Sequence, residues 1–200
     1  MHIILSGKHG SPVEAVGEAL KAKWGALGTA VYIYNAKGPA RLICNAAKTV
    51  GQQFAAIPEN ADLDLFLEQA ILDWGREQDV QFWGKIAKRQ VDLVTGRWEE
   101  MGLFHVTVIQ ELCFREDFEL FPRAYRVYLL PPDGYEPHMI HGHHASETAL
   151  DQWVEDSRKA KYPVFDEIVK PHKASPTDIA EFIFEGFNER FKSGFRTLMN

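Results

Sequence analysis

The sequence has few cysteines, no long apolar run and no excess of positive charge. Cys44 and Cys113 are its only cysteines, too few for a disulfide framework, so we expect reduced thiols in a cytoplasmic protein. No window approaches the roughly 18 apolar residues of a membrane span, and the opening MHIILSG predicts no secretory signal. The net charge of −6 disfavours duplex nucleic acid as a partner, because binding to its phosphates requires a basic face.

The composition that remains is that of one globular domain. The chain has 200 residues, of which 46% are hydrophobic and 25% charged; this is enough to bury a substantial core. We therefore expect a single domain over residues 1–200. One small anion can still bind to such an acidic chain, because backbone amides and helix N-termini hold anions without net positive charge.

Short apolar runs alternate with helical patterns along the whole chain. Strands are predicted at residues 2–6, 29–34, 103–109, 124–130 and 162–169. Helices are predicted from Pro12, over 39–50, around 63–71, from Phe82, around 150–154 and after a cap at 175–178. WGREQD, residues 74–79, is predicted to be a turn. The alternation favours a three-layer α/β domain with a five-stranded, mainly parallel sheet and a small helical lid region, and with ligands at the C-terminal ends of the strands.

The stretch ILSGKHGSPVEAVGEAL, residues 4–20, begins like a phosphate-binding P-loop. In the motif G-x-x-x-x-G-K-[ST], amides cradle the phosphates, the lysine reaches the outer ones and the hydroxyl holds Mg²⁺. Counted from Gly7, the second glycine, the lysine and the hydroxyl residue are replaced by Pro12, Val13 and Glu14. Pro12 removes an amide donor and Val13 removes the cation. Glu14 adds a negative charge, or alternatively a metal ligand.

Three interpretations of this loop stay open. In the first, Lys8, Gly10 and Ser11 form a shorter loop that still holds a phosphate, with Lys8 as a catalytic cation. In the second, the loop keeps the fold but has lost tight triphosphate binding. In the third, it is an ordinary strand-to-helix turn. The candidate cofactor-binding residues are Gly7, Lys8, His9, Gly10 and Ser11.

Five further segments resemble, in order, motifs of the phage deoxynucleoside monophosphate kinases. They are YNAKGPARLIC (34–44), LEQAILDWGREQDVQFWGKIAKR (67–89), VIQELCFREDFELF (108–121), HGHHASETALD (141–151) and YPVFDEIVKPHKASPTDIAEFI (162–183). The resemblance implies a P-loop nucleoside-monophosphate-kinase fold. It further implies transfer of the γ-phosphoryl group of ATP, with Mg²⁺, to a nucleotide or deoxynucleotide in a phage-infected bacterial cell.

The same resemblance implies roles for particular positions. It places Arg76, Glu77, Trp83 and Lys85 in the substrate-binding region, and Ser146 and Glu147 at the exit of a lid-like loop of about residues 131–147. It also places Glu111 at the family's aspartate after the third strand, as the second catalytic candidate. A carboxylate there accepts a hydrogen bond from a sugar hydroxyl or holds Mg²⁺ through water.

The chain departs from the family at positions that face phosphate. In addition to the loop changes, the family's Asp-x-Arg-Phe arginine is replaced by Cys113, and the arginine of the lid is absent from residues 130–134. Loss of one such contact commonly lowers the rate 10² to 10³ fold, about 2.7–4 kcal/mol. Candidate replacements are Lys8, Arg115, Arg123 and Arg126. We expect an impaired kinase or, as the alternative, an inactive relative that binds a protein partner or a second copy of itself, for example in a phage particle or a nucleotide-metabolism complex.

Three further sets of side chains remain: a group of histidines, the tryptophans and Cys113. His138, His141, His143 and His144 have the crowding of a Zn²⁺ or Ni²⁺ site, but an exposed lid that changes charge near pH 6–7 is the commoner outcome, and we predict no metal site. The tryptophans are predicted to pack in the core, with Trp83 as the one candidate for a ligand pocket. Cys113 is predicted to be structural.

Overall fold

The computed structural model describes residues 1–8, 10–54, 61–132, 145–159, 164–171 and 174–198. Its strands are β1 (His2–Gly7), β2 (Ala30–Asn35), β3 (His105–Gln110), β4 (Tyr125–Leu129) and β5 (Glu167–Val169). Its helices are α1 (Val13–Ala26), α2 (Gly38–Phe54), α3 (Ala61–Gln78), α4 (Phe82–Glu100), α5 (Arg115–Phe118), α6 (Ala145–Lys159) and α7 (Pro176–Leu198).

The five strands form one sheet in the order β2-β3-β1-β4-β5, and every pairing is parallel. The predicted three-layer α/β class with a five-stranded sheet is therefore confirmed, and the described strands are parallel throughout rather than mainly parallel. The register aligns Leu5 of β1 with Gln110 of β3 and Gly7 with Leu129 of β4. As a result, the segments that follow β1, β3 and β4 leave the sheet at the same edge.

One face of the sheet is covered by α1 and α7. Ile3 and Leu5 of β1 point to this side, where they join a core that includes Trp24 of α1 and Phe187 of α7. The rings of Trp24 and Phe187 meet edge to face, with their centroids 5.3 Å apart. This geometry is favourable for aromatic pairs, and it fixes the helix that follows the glycine loop against the C-terminal helix.

The opposite face is covered by α4 and α6. Ile4 of β1 points to this side, with Val91 of α4 and Leu150 of α6 in the same buried cluster. The central strands therefore bury both faces, which explains why they read as continuous apolar runs rather than as alternating patterns.

Three details of the predicted element order are wrong. Residues 74–78 belong to α3, and the predicted turn is confined to the short connection before Phe82. Of the predicted strand 162–169, residues 167–169 form β5 and residues 164–166 lie outside that strand, whereas residues 162 and 163 lie outside the described residues. The four-residue helix α5, Arg115–Phe118, was not predicted. It is too short to show helical periodicity.

The cap of the last helix matches its prediction. The Ser175 Oγ accepts a hydrogen bond from the Asp178 N–H at 3.2 Å, and the Asp178 Oδ2 accepts one from the Ser175 N–H at 2.9 Å. This reciprocal pair is the capping arrangement expected from a serine followed three residues later by an acid.

Several predicted features lie outside the described residues. They are His9, most of the lid-like loop, the four clustered histidines and, as side chains, Ser146 and Glu147. Within the part of the chain that the structure describes, no helix combines the length and apolar character needed to cross a membrane.

Candidate functional site

The candidate site lies at the C-terminal edge of the sheet, where ligands bind in open parallel α/β folds. The loop after β1 and the segment that begins at Glu111 after β3 meet there, because β1 and β3 are neighbours in the sheet. The first residues of α1 and the side chain of Arg41 on α2 complete it.

The loop after β1 is a tight turn. The Ser11 N–H donates to the carbonyl of Lys8 at 3.0 Å, which closes a four-residue turn. Gly10 has φ 82, a left-handed conformation that other residues adopt only with strain. The glycine is therefore required by the turn itself, whether or not a phosphate binds.

The serine of the loop is directed towards the sheet. The Ser11 Oγ donates to the carbonyl of Leu129, at the end of β4, at 2.8 Å. A Cβ atom on Gly7 would lie 2.7 Å from the Ser11 Cβ and 2.8 Å from the Leu129 carbonyl oxygen, so only glycine fits beneath this serine. The predicted residues Gly7 and Ser11 thus connect β1 to β4.

The lysine of the loop forms an ion pair with another element. The Lys8 Nζ donates to Asp151 Oδ2 of α6 at 2.5 Å, and about a quarter of the lysine side chain is exposed. An exposed pair of this kind contributes at most about 1 kcal/mol. It nevertheless connects the loop to α6, the helix that follows the predicted lid.

The start of α1 presents no cation to the loop. Pro12 occupies the cap position without a side-chain hydrogen bond, and Val13 is 4% exposed, within the core beneath the sheet. Glu14 is exposed. Where the P-loop motif has its lysine, the chain therefore has a buried aliphatic side chain.

An arginine of α2 lies among three carboxylates. Arg41 donates through Nη2 to Glu111 Oε1 at 2.8 Å, through Nε to Glu68 Oε2 at 3.1 Å and through Nη1 to Glu14 Oε1 at 3.2 Å. Burial alone would lower the pKa of Arg41, but the carboxylates of Glu111 and Glu68 outweigh it and raise that pKa. Three acids share one cation, so the cluster keeps an excess of negative charge.

Glu111 has an unusual backbone conformation. Its φ is 59, and no other non-glycine residue of the described chain has a positive φ. Such a conformation costs of order 1–3 kcal/mol and is characteristic of functional sites. Its N–H still donates to the Leu5 carbonyl at 2.9 Å, so the sheet pairing continues to the residue that carries the carboxylate.

A narrow cavity lies beside Glu111. It measures about 10 Å³, and its walls include Leu72, Trp83, Phe114 and Asp117. Asp117 is 2% exposed, and its Oδ1 has no hydrogen-bond partner. Burial raises the pKa of Asp117 to about 7, although Arg76 and the Gly84 N–H act in the opposite direction.

Of the four predicted substrate-binding residues, Trp83 lines this cavity. Arg76 lies close by, with its guanidinium carbon 3.5 Å from the centre of the Phe114 ring and its Nη1 donating to the Val80 carbonyl at 2.9 Å. Glu77 is exposed on α3, and Lys85 is paired with Asp79 on the surface. The structure thus brings two of the four to the cavity, and all four roles stay predictions.

Of the four candidate replacement cations, Lys8 lies in the loop and is paired with Asp151, and the other three are exposed or bonded to a different segment. Arg115 and Arg123 are exposed. Arg126 donates to the Phe118 carbonyl at 3.2 Å, and burial lowers the pKa of Arg126. Sequence reasoning missed Arg41, Glu68 and Asp117. In the sequence, Arg41 and Glu68 look like ordinary charges on helical surfaces, and only the folded structure brings them together.

ATP and Mg²⁺ do not fit the loop that the described residues form. The hydroxyl of Ser11 is bonded to Leu129, and the position of the lysine is filled by Val13. In the described ranges, no three His, Cys, Asp or Glu side chains are placed to hold a metal ion. The acids nearest the loop surround Arg41 instead.

Comparison with known proteins gives fold-level likeness only. No family model matches the chain, and no curated protein matches it by sequence. Shikimate kinase from Aquifex aeolicus is 12% identical, with a TM-score of 0.44 over 95% of this chain and 98% of that one. An uncharacterised protein from Eubacterium ventriosum is also 12% identical, with a TM-score of 0.37 over 92% of this chain and 96% of that one.

At such identities and superpositions, neither neighbour bears on activity or substrate. The fold assignment stands on the sheet itself, which is five-stranded, parallel and flanked by helices on both faces. The resemblance to phage deoxynucleoside monophosphate kinases stays a prediction.

Proposed function

We propose that this chain is a P-loop-kinase-like protein that binds a small molecule at the C-terminal edge of its sheet and has lost most or all ATP-dependent phosphoryl transfer. Val13 carries the proposal. It occupies the place of the phosphate-binding lysine and is buried in the core, 4% exposed. Phosphoryl transfer depends mainly on positioning and on neutralising the charge of the transferred group, and here the neutralising cation is missing.

Two cations of the edge are already paired with acids of the chain. Lys8 is paired with Asp151, and Arg41 with Glu14, Glu68 and Glu111. A triphosphate would have to compete with these carboxylates for the charges of Lys8 and Arg41. Because Glu14 and Glu111 also lie at the edge, the electrostatic potential there opposes a polyanion.

The test is binding and turnover of ATP with Mg²⁺. A ligand at 100 times its Kd stabilises the folded state by about 2.7 kcal/mol, which gives a clear rise in Tm. We expect no rise in Tm at millimolar ATP·Mg²⁺ and no turnover of dTMP or dGMP. Lys8→Ala serves as the matched variant, and it should leave both results unchanged.

An active phage-type deoxynucleoside monophosphate kinase is the second candidate. It is favoured by the five collinear motifs and by the position of Glu111 at the end of β3. In that case ATP·Mg²⁺ should stabilise the fold, deoxynucleotide should be phosphorylated, and Lys8→Ala should abolish the turnover. Such a result would refute impaired transfer.

A further inference from the structure

A larger cleft than the one beside Glu111 lies on the outer side of α4. It measures about 420 Å³, and it is bounded by one face of α4 and by Leu120, which follows α5. The residues of α4 that line it are Lys85, Lys88, Arg89, Asp92 and Leu93. They recur three or four residues apart, as neighbours on one face of a helix do. The volume is within the range of about 300–1,000 Å³ that is usual for small-molecule sites.

Hydrogen bonds outside the cleft hold its two walls in place relative to each other. The Nε2 of Gln81, at the start of α4, donates to the Glu116 carbonyl of α5 at 2.7 Å. In the turn that follows α5, the Leu120 N–H donates to the Asp117 carbonyl at 3.2 Å. Because the walls are already ordered, a ligand would not bear the entropic cost of ordering them.

The cleft has one cation that no acid of the described chain neutralises. Lys85 is paired with Asp79, and Lys88 with both carboxylate oxygens of Asp92, at 2.5 and 2.6 Å. Arg89 is exposed, and its side chain has no hydrogen-bond or ion-pair partner among the described residues. These five side chains therefore keep one positive charge, although the whole chain has a net charge of −6.

The cleft also has an apolar part. Leu93 is 52% exposed, one turn of α4 after Arg89, and Leu120 is partly exposed at the border of the core between the sheet and α4. The methylene groups of the lysine side chains add apolar surface next to their charged ends. A ligand with an apolar body would remove this surface from water, which is favourable.

The unpaired arginine and the single net charge restrict the polar group of such a ligand. A guanidinium presents its N–H donors in a planar fork that matches the two oxygens of a carboxylate or of a phosphate. A phosphate monoester carries about −1.5 to −2 charges at pH 7, which one cation does not offset. A carboxylate carries a single charge and is therefore the better match.

We propose that this cleft binds a small molecule that has one carboxylate and an aliphatic body. Arg89 donates to the carboxylate, and Leu93 and Leu120 pack against the aliphatic chain. The site is separate from the one in the proposed function, because no residue of the glycine loop lines it, and neither does Arg41 or Glu111.

The experiment is a titration of the full-length protein with sodium hexanoate at pH 7, observed by ¹H–¹⁵N correlation NMR. Sodium chloride is exchanged for the hexanoate so that ionic strength stays constant. We expect saturable shifts of the amides of Arg89, Leu93 and Leu120. Sodium acetate lacks the aliphatic chain and hexanamide lacks the charge, so each should bind at least tenfold more weakly.

Three variants separate the contributions to binding. Arg89→Gln should weaken hexanoate binding at least tenfold and leave hexanamide binding unchanged. Leu93→Ser should weaken hexanoate binding at least threefold. Arg97→Gln is the matched control, because it removes another exposed arginine of α4 that does not line the cleft; it should change the affinity less than twofold. All three side chains are exposed, so each variant should fold.

Any of five results would overturn the proposal. Absence of saturable shifts would show that hexanoate does not bind, and equal binding of acetate would show that the apolar wall is not used. Equal binding of hexanamide, or unchanged affinity in Arg89→Gln, would show that the arginine does not hold the carboxylate. Shifts of the same amides that follow protein concentration without hexanoate would show that a second copy of the chain occupies the cleft. None of these results involves ATP or Lys8, so this proposal and the proposed function can fail independently.

Discussion

Asp117 has a buried carboxyl group whose surroundings disfavour its ionised form. Its carboxyl group lies in the apolar interior at the start of α4, against Gly84, where a Cβ atom would collide with its Oδ1. A charged carboxylate is poorly solvated in such a place, so burial disfavours its ionised form. Titratable groups with strongly shifted pKa values cluster at functional sites, and this one lines the cavity at the ligand edge of the sheet.

Asp117→Asn should change how stability depends on pH. In the folded protein the pKa of Asp117 is about 7, against an ordinary value of 3.8, so between these two pH values the folded state binds more protons than the unfolded state. Stability therefore falls as pH rises from about 4 to 7 and then levels off. The amide is always neutral, so at pH 8 the variant should be more stable than the parent, by up to about 4 kcal/mol.

Urea unfolding at pH 4.5 and pH 8 measures this difference. The advantage of Asp117→Asn should be small at the lower pH and large at the higher one. Glu119→Gln, the removal of an exposed acid on the same segment, should give nearly the same small difference at both values. A constant advantage of Asp117→Asn across pH would show that the carboxyl group of Asp117 is not protonated by burial.

For single residues, sequence patterns predict where in the fold a side chain lies better than they predict which other side chains it contacts. Glu111 and Trp83 were expected at a ligand edge because one follows a buried strand and the other lies in a recognisable segment, and the structure places both at the cavity. The roles of Arg41 and Asp117 could not be predicted, because both depend on contacts with residues that are distant in the sequence. Arg41 contacts Glu111, 70 residues away, and Asp117 lies near Arg76 and Gly84. These residues meet only in the folded chain. Hydrogen bonds between distant charges leave no periodic trace in a sequence.

At the scale of elements, the contact between α3 and α4 shows how a glycine can mislead. Gly75 belongs to the segment predicted to be a turn, residues 74–79, yet it lies within α3. A Cβ atom there would lie 2.6 Å from the Trp83 Nε1. The indole ring of Trp83 cannot move away without breaking a hydrogen bond, because Nε1 donates to the Leu72 carbonyl at 2.9 Å. The glycine therefore permits the close packing of two helices.

Gly75→Ala should destabilise the protein, whereas Gly96→Ala should stabilise it. Both glycines lie inside helices, where alanine is favoured by roughly 0.5–1 kcal/mol. Gly96 has no atom within 4 Å of a new Cβ, so it should show this gain alone. At Gly75 the methyl group meets Trp83, and overpacking of this kind typically costs about 1–3 kcal/mol.

Chemical denaturation of the two variants beside the parent gives the measurement. A helix-propensity effect common to both sites cancels in the comparison, so the difference between them reports the contact with Trp83. If Gly75→Ala were as stable as Gly96→Ala, α3 and α4 would not pack as closely as described, and the wall of the cavity formed by Trp83 would be placed incorrectly.

The central elements were predictable for a physical reason that the peripheral ones lack. β1, β3 and β4 bury residues on both faces, so each appears in the sequence as a dense apolar run. The last strand has only three residues, all partly exposed. Val164, part of the segment predicted to be a longer strand, precedes β5 rather than pairing in it.

At the scale of the whole molecule, the sheet is a central unit with two weaker edges. β1 pairs with β3 on one side and with β4 on the other, and helices cover both of its faces. Among the residues that the structure describes, β2 and β5 each pair with one neighbour, and every residue of both strands is partly exposed. The candidate site draws on the central strands, whose ends carry the glycine loop and Glu111.

Amide hydrogen exchange should follow this arrangement. Backbone amides of β1 and β3 should exchange only through global unfolding, because opening them locally would break pairing on both sides and expose the core on both faces. In β2 and β5, alternate amides face away from the single partner strand and should exchange far earlier. Exchange followed by NMR at pH 7 measures each amide. If the amides of Glu167–Val169 were protected as strongly as those of Ile3–Leu5, another segment would have to cover β5, and β5 would not be an edge strand of the sheet.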